Sequence, residues 1–357
     1  MSGDAIAATL RRIGALDEAA MTAARARQRE LTKPEGSLGR LEDLAVQVAG
    51  IVGAAVPELP RKAVIVVAAD HGVAVEGVSA YPSEVTAQMV ANFLSGGAAI
   101  NALARAAGAR VVVVDAGVAG DVPSGPALYS RKIARGTRNL RRAPAMSRDQ
   151  AREAVFVGTD VLECEAARGL DLVATGDMGI GNTTPASAIV AAICGTSVAE
   201  VTGRGTGIDD ETLARKIAVI EDALRLHRPD SSDALDVLAK IGGFEIGVLA
   251  GVIIGAAARR IPIVLDGFIS GAAALIANGL DPKARDFMIA AHRSAERGHR
   301  AALDQLALEP LLDLRLRLGE GTGAVLAMLL IDAALAAHRE MATFAGAGVS
   351  DREGGSS

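Results

Sequence analysis

Past about residue 57 the apolar positions come in short unbroken runs: Ala63–Ala69, Val111–Val114, Leu172–Thr175, Ile261–Leu265 and the weaker Phe287–Ala290. Such runs, with no polar residue alternating through them, mark strands buried on both faces. Ala-rich stretches separate them, and this alternation predicts an α/β fold with a parallel sheet. Residues 4 to about 57 instead repeat at helical spacing. Leu38, Leu41, Leu44 and Val48 share one helix face, and Ser37 is placed to cap it. Further helices are predicted over about 209–225 and 231–240, from Gly242-Gly243 to about Ala257, and from Gly323 to about Glu340. Pro82 suits the first residue of a helix ending near Leu94. Residues 115–147 show little periodicity and read as a long connection, which in a compact domain is functional or disordered. The polar, Gly/Ser-rich stretch 349–357 reads as a disordered tail.

Composition sharpens this picture at three points. Half of the 357 residues are hydrophobic but only 2% are aromatic, so the core must be built from Ala, Val, Ile and Leu. With 40 Gly, that mixture suits helices packed closely on a sheet. The net charge of −5 gives no reason to expect a nucleic-acid or membrane partner. Cys164 and Cys194 form no CxxC pair, which fits a reducing, cytoplasmic setting. The first twenty residues carry charges inside their apolar stretch and no cleavage signature, so no signal peptide is expected. The longest uncharged apolar run, Ile246–Ala258, is too short to span a bilayer and reads as a buried helix.

The polar residues at the ends of these runs point to chemistry. The runs end at Asp70-His71-Gly72, Asp115-Ala116-Gly117, Gly176-Asp177-Met178-Gly179, Asp266-Gly267 and His292. Any one of these can be a mere turn that caps the next helix. Together they mark the carboxyl edge of the sheet, where sites in open α/β folds lie. Three glycine-rich loops stand out: Gly176–Thr184, Gly203–Gly207 and Gly319–Gly323. The first comes after a strand and opens a helix, so its N–H groups can hold an anion, with Asn182, Thr183 and Thr184 as side-chain donors and Pro185 to begin the helix. Otherwise it is a tight turn. In the last loop Glu320 sits between two glycines behind Leu314, Leu316 and Leu318. An apolar setting would raise its pKa and suit a general base; alternatively it caps the following helix. Asp70, His71, Asp266 and His292 could be metal ligands of a hydrolase, but their spacing matches no compact motif. The basic stretch Arg131–Arg142 has no aromatic to stack a base and reads as a solvated loop or a phosphate-reaching arm.

Nine blocks occur in one order: TKPEGSLGR (Thr32–Arg40), ADHGV (Ala69–Val73), VTAQM (Val85–Met89), RGTR (Arg135–Arg138), GDMGIGNTTP (Gly176–Pro185), GGFE (Gly242–Glu245), LDGFIS (Leu265–Ser270), HRSAE (His292–Glu296) and RLGEGTG (Arg317–Gly323). In this the chain resembles the nicotinate-nucleotide:dimethylbenzimidazole phosphoribosyltransferases of cobalamin synthesis over about residues 15–345. The resemblance implies transfer of 5-phosphoribosyl from nicotinate mononucleotide to 5,6-dimethylbenzimidazole with inversion at C1′, and neither cofactor nor metal. It implies Glu320 as base and, as further catalytic residues near the reaction, Asp177 (where many members carry Glu) and Lys216. It places Tyr81 (Ser in some members), Gln88, Met89 and Leu318 around the aromatic base. Gly176, Gly179, Gly181, Asn182, Thr183, Gly205, Asp266 and Ser294 fall on the phosphate and ribose side. It also implies a homodimer with a large Rossmann-like α/β domain, 58–305. A small helical domain would be built from both ends, 1–57 and 306–348.

Overall fold

The computed structural model describes residues 2–350. The chain opens with α1 (Ser2–Arg11), α2 (Glu18–Glu30) and α3 (Arg40–Val52), then β1 (Lys62–Ala69), α4 (Glu84–Leu94), α5 (Ala99–Ala106), β2 (Ala109–Gly117) and β3 (Leu128–Ser130). Next come α6 (Arg148–Ala167), β4 (Leu172–Met178), α7 (Thr183–Cys194), α8 (Val198–Val201), α9 (Asp210–His227), α10 (Ala234–Ile241) and α11 (Phe244–Ala258). The last third holds β5 (Ile263–Leu265), α12 (Phe268–Leu280), β6 (Met288–Ala290), α13 (Arg297–Leu306), α14 (Thr322–Glu340) and α15 (Phe344–Ala347).

The six strands form one parallel sheet in the order β3-β2-β1-β4-β5-β6. Both faces of β1 are dry, which is why its sequence shows no alternation. Ala63, Ile65 and Val67 face a core shared with α1, α6, α11 and α12, while Val64, Val66 and Ala68 face one shared with α3, α4, α5 and α14. Every residue of α11 is buried. It meets α6 so closely that a methyl on Gly158 would lie 1.9 Å from the Val248 carbonyl oxygen, which shows what the glycine-rich, aromatic-poor composition permits. One described helix, α14, is long and apolar enough to cross a membrane by length and composition; here it packs on β4, β5, α3 and α5.

The end of α2 meets the end of α14 and the segment after it. Leu31 bridges Thr343 in antiparallel fashion, Arg27 Nε donates to the His338 carbonyl (2.7 Å), and Gln28 Nε2 meets His338 Nδ1 at 2.9 Å.

Several boundaries differ from the sequence reading. β4 continues through Gly176 and Asp177, because Gly176 still pairs with Val66 and Asp177 with Val67. β2 likewise runs past Asp115. The connection 115–147 is ordered and contains β3, three residues too few to show a pattern. Ser37 does not cap α3: Gly39 stands at the N-cap with no side-chain bond, and Glu42 reaches back to the Leu38 N–H (3.0 Å). Pro82 lies two residues ahead of α4 rather than at its start. The end of the tail assigned to 349–357 falls outside the described residues.

Candidate active site

The chain order reverses between β1 and β4, one strand leading outward to β2 and the other to β5. A parallel sheet opens a crevice at such a point, just beyond the carboxyl ends of the strands. The Gly319–Gly321 loop comes in over the end of β4. Its three residues all have left-handed backbones, φ +82°, +62° and +92°. For Glu320 that conformation is strained by about 1 kcal/mol or more. Its surroundings enforce it: the Glu320 N–H donates to the Asp177 carbonyl (3.2 Å), and the Thr322 N–H to that of Gly319 (3.1 Å).

Asp266, just after β5, completes the clamp. Its Oδ2 accepts from the Gly321 N–H (3.2 Å), and its Oδ1 from Gly323 (2.8 Å) and Ala324 (3.0 Å). Asp266 therefore caps α14, the role left open for Glu320. With both oxygens occupied, Asp266 holds the loop from below. Burial pushes its carboxyl up to about 7, against the pull of those three N–H groups.

Glu320 points elsewhere. Its Oε2 accepts from the Ile100 N–H in the first turn of α5 (3.3 Å), and the residue is only 5% exposed. Burial raises its pKa above the ordinary glutamate range, the Ile100 N–H opposing it. Asp177 is buried beside it, held by Asn182 Nδ2 at Oδ2 (2.9 Å). Burial, and then the neighbouring carboxylates Asp266 and Glu245, push Asp177 well up.

A cleft of about 130 Å³ opens at the end of β4, lined by Asp177, Met178, Gly179, Gly181, Asn182, Thr183, Gly205, Thr206 and Leu318, while Glu320 and Asp266 stand outside its lining. A larger hollow of about 450 Å³ lies between α2 and α3 and holds none of the strand-end residues. Lys216, on α9, is fully buried next to the cleft wall; its Nζ donates to Thr183 Oγ1 (2.7 Å) and to the Gly203 carbonyl (3.3 Å). Burial brings its pKa down to about 8. Ser294 is buried, its Oγ accepting from the Glu296 N–H (3.3 Å). Tyr81 and Leu318 are exposed, as is Gln88, while Met89 is half-buried on α4. Leu314 is exposed too, so the expected apolar wall behind Glu320 is not interior. Gly176 does not face the cleft: its Cα lies against Glu320, where a methyl would come within 2.5 Å of the carbonyl oxygen. Gly176→Ala is expected to displace that loop, costing about 1–3 kcal/mol of stability and lowering kcat more than KM. Melting curves and initial rates on one preparation check this, and a variant with unaltered kcat would refute it.

The other candidates do not converge on the cleft. Asp70 accepts from the Ala119 N–H (2.8 Å), His71 Nε2 meets Glu245 Oε1 at 2.9 Å with both side chains fully buried, and His292 lies 3.7 Å from Asp266. Among the described residues no three His, Cys, Asp or Glu side chains gather as metal ligands. The basic stretch is a tied-down loop: Arg131 pairs with Asp160, Arg135 with Asp121, and Arg141 with Glu76 and Asp222. Residues that sequence reasoning does not single out also build the site. Thr86 Oγ1 accepts from the Ile180 N–H (3.1 Å) and ties α4 to the cleft loop. Its VTAQM block, like Glu245's GGFE, is the available signal.

Residues 13–349 match the family described as Phosphoribosyltransferase. A nicotinate-nucleotide–dimethylbenzimidazole phosphoribosyltransferase of Chloroflexus aggregans is 65% identical over 345 residues, 97% of this chain and 98% of that protein. One of the same name from Roseiflexus castenholzii is 66% identical over 344 residues, 96% of this chain and 98% of that protein. The crystal structure of CobT from Thermus thermophilus superposes with a TM-score of 0.90 at 49% identity, covering 93% of this chain and 99% of that one. The family's sequence and its fold thus coincide in one chain, which belongs to the nicotinate-nucleotide–dimethylbenzimidazole phosphoribosyltransferases.

Proposed function

We propose that Glu320 is the general base of this chain's reaction, the transfer of 5-phosphoribosyl from nicotinate mononucleotide to 5,6-dimethylbenzimidazole. The products are α-ribazole 5′-phosphate and nicotinate. One benzimidazole nitrogen attacks C1′ with its lone pair. The bond from C1′ to the pyridinium nitrogen breaks, and its electron pair neutralises the departing ring. The attacking ring becomes cationic, so the N–H on its other nitrogen turns acidic, and a carboxylate can take that proton. The observation that carries this is the Glu320 side chain: buried, raised in pKa, and bonded among the described residues by a single backbone N–H, at Oε2. The rest of the site acts by holding two substrates in line.

In the same reading the Lys216 ammonium and the N–H groups of Gly179 and Gly181 serve the phosphoribosyl side, with Asn182, Thr183, Gly205 and Ser294. Asp177, whose pKa burial raises, hydrogen-bonds the sugar. Tyr81, Gln88, Met89 and Leu318 border the aromatic base. The enzyme works as a cytoplasmic homodimer, and its two chain ends, 1–57 and 306–348, form the small helical domain.

Purified protein given nicotinate mononucleotide and 5,6-dimethylbenzimidazole in excess chelator is expected to form the α-anomer, read by the NMR coupling at C1′. A β-anomer, no product, or turnover only with added metal would overturn the reading.

A further inference from the structure

The HRSAE block ends in a residue that the reaction above does not use. Glu296 stands at the N-cap of α13, a position whose side chain ordinarily accepts from first-turn N–H groups. Its carboxylate makes no such bond. It lies against Gly203 instead, so close that a methyl there would come within 2.1 Å of Oε2. Glu296 is 8% exposed, and Oε2 has no hydrogen-bond partner among the described residues. The carbonyl of the same Gly203 accepts from Lys216 Nζ. A buried carboxylate and a buried ammonium thus meet one glycine. Neither is stable alone in a dry interior.

We propose that Glu296 is a positioning residue: it is the counter-charge of Lys216 and fixes the Gly203 peptide on which the ammonium rests. The inference rests on the reading of Lys216 as the cation of the phosphoribosyl side. The charged groups on the elements packed against α9 are engaged elsewhere. Glu200 on α8 accepts from Ser197; on α10 Asp236 pairs with Lys240; Asp233, capping α10, pairs with Arg148; Arg204 pairs with Asp210. The one titratable side chain of α7, Cys194, donates to the Ala301 carbonyl. Burial draws Lys216 down, and Glu296 is the group that pushes it back up. Without that charge Lys216 loses its proton at lower pH, and a neutral amine holds a phosphate poorly.

The test is the pH profile of kcat/KM for nicotinate mononucleotide, which reports groups of the free enzyme. Wild type should show a basic limb near 8. In Glu296→Gln the limb should move to lower pH and KM at the wild-type optimum should rise roughly tenfold, with kcat changed by no more than about twofold. Glu296→Asp, which keeps the charge, should restore most of both. If Glu296→Gln fails to fold, Gly203→Ala displaces the carboxylate without removing it and should shift limb and KM the same way. An unchanged limb and KM in the variant that folds would overturn the proposal, provided Lys216→Met abolishes the limb. A limb that survives Lys216→Met shows instead that the reading of Lys216 is wrong, and the inference falls with it.

Discussion

Glu320→Gln is expected to lower kcat by about 100-fold or more, the low end of what a positioned general base contributes. Glutamine keeps the shape and can still accept from the Ile100 N–H through its carbonyl oxygen, so the loop should stay in place. What it cannot do is take the proton from the benzimidazolium. The pH dependence carries a sign. Burial raises the Glu320 pKa in the folded protein, so the carboxylate is the acting form only above a pH higher than an ordinary glutamate needs. Wild-type kcat should therefore fall on the acid side, with a limb displaced upward from that range, and the residual activity of the variant should lack it. Stability runs the other way. A raised acid binds its proton more tightly in the folded state, so its contribution is lost as pH rises through the folded pKa. Above the acid limb of kcat, where the wild type must bury a charge and the variant does not, Glu320→Gln should melt no lower than wild type. A purely structural glutamate would give the opposite pair: near-normal kcat and a lowered melting temperature. Steady-state rates and thermal melts across pH decide between them.

How much of the fold and site is legible in the sequence depends on how local each feature is. β1 announces itself because both its faces are buried, leaving no polar residue between Ala63 and Ala69. The end of β4 does not, because Gly176 and Asp177 are poor strand formers kept extended only by their pairing with Val66 and Val67. Glu320 is visible through the glycines on either side of it, which its left-handed backbone and crowded setting require. Its donor Ile100, 220 residues earlier in the chain, is not. Nor is the cap of α14. No side chain adjacent to Thr322 caps it, and the acceptor comes from Asp266, 55 to 58 residues away. A carboxylate followed by glycine at a strand end looks the same in sequence whether it faces a ligand or a helix N-terminus.

That ambiguity gives the second large effect. Asp266→Ala is expected to destabilise the protein by about 3 kcal/mol at pH 5, because the N–H groups of Gly321, Gly323 and Ala324 lose their buried acceptor together. It should also lower kcat severely, since those bonds hold the loop that carries Glu320, although no substrate atom need touch Asp266. Its folded pKa of about 7 lies above the value of roughly 3.9 expected when unfolded. Between those two values the folded protein binds the extra proton, so the aspartate's contribution is fullest in acid and is lost as pH rises through 7. The wild type and Asp266→Ala should consequently melt further apart at pH 5 than at pH 8. A residue that contacts ribose and holds nothing would leave the apo-protein melts alike at both pH values and change only KM. Denaturant melts of the apo protein at the two pH values, with kcat and KM measured alongside, separate a clamp beneath the catalytic loop from a ligand contact.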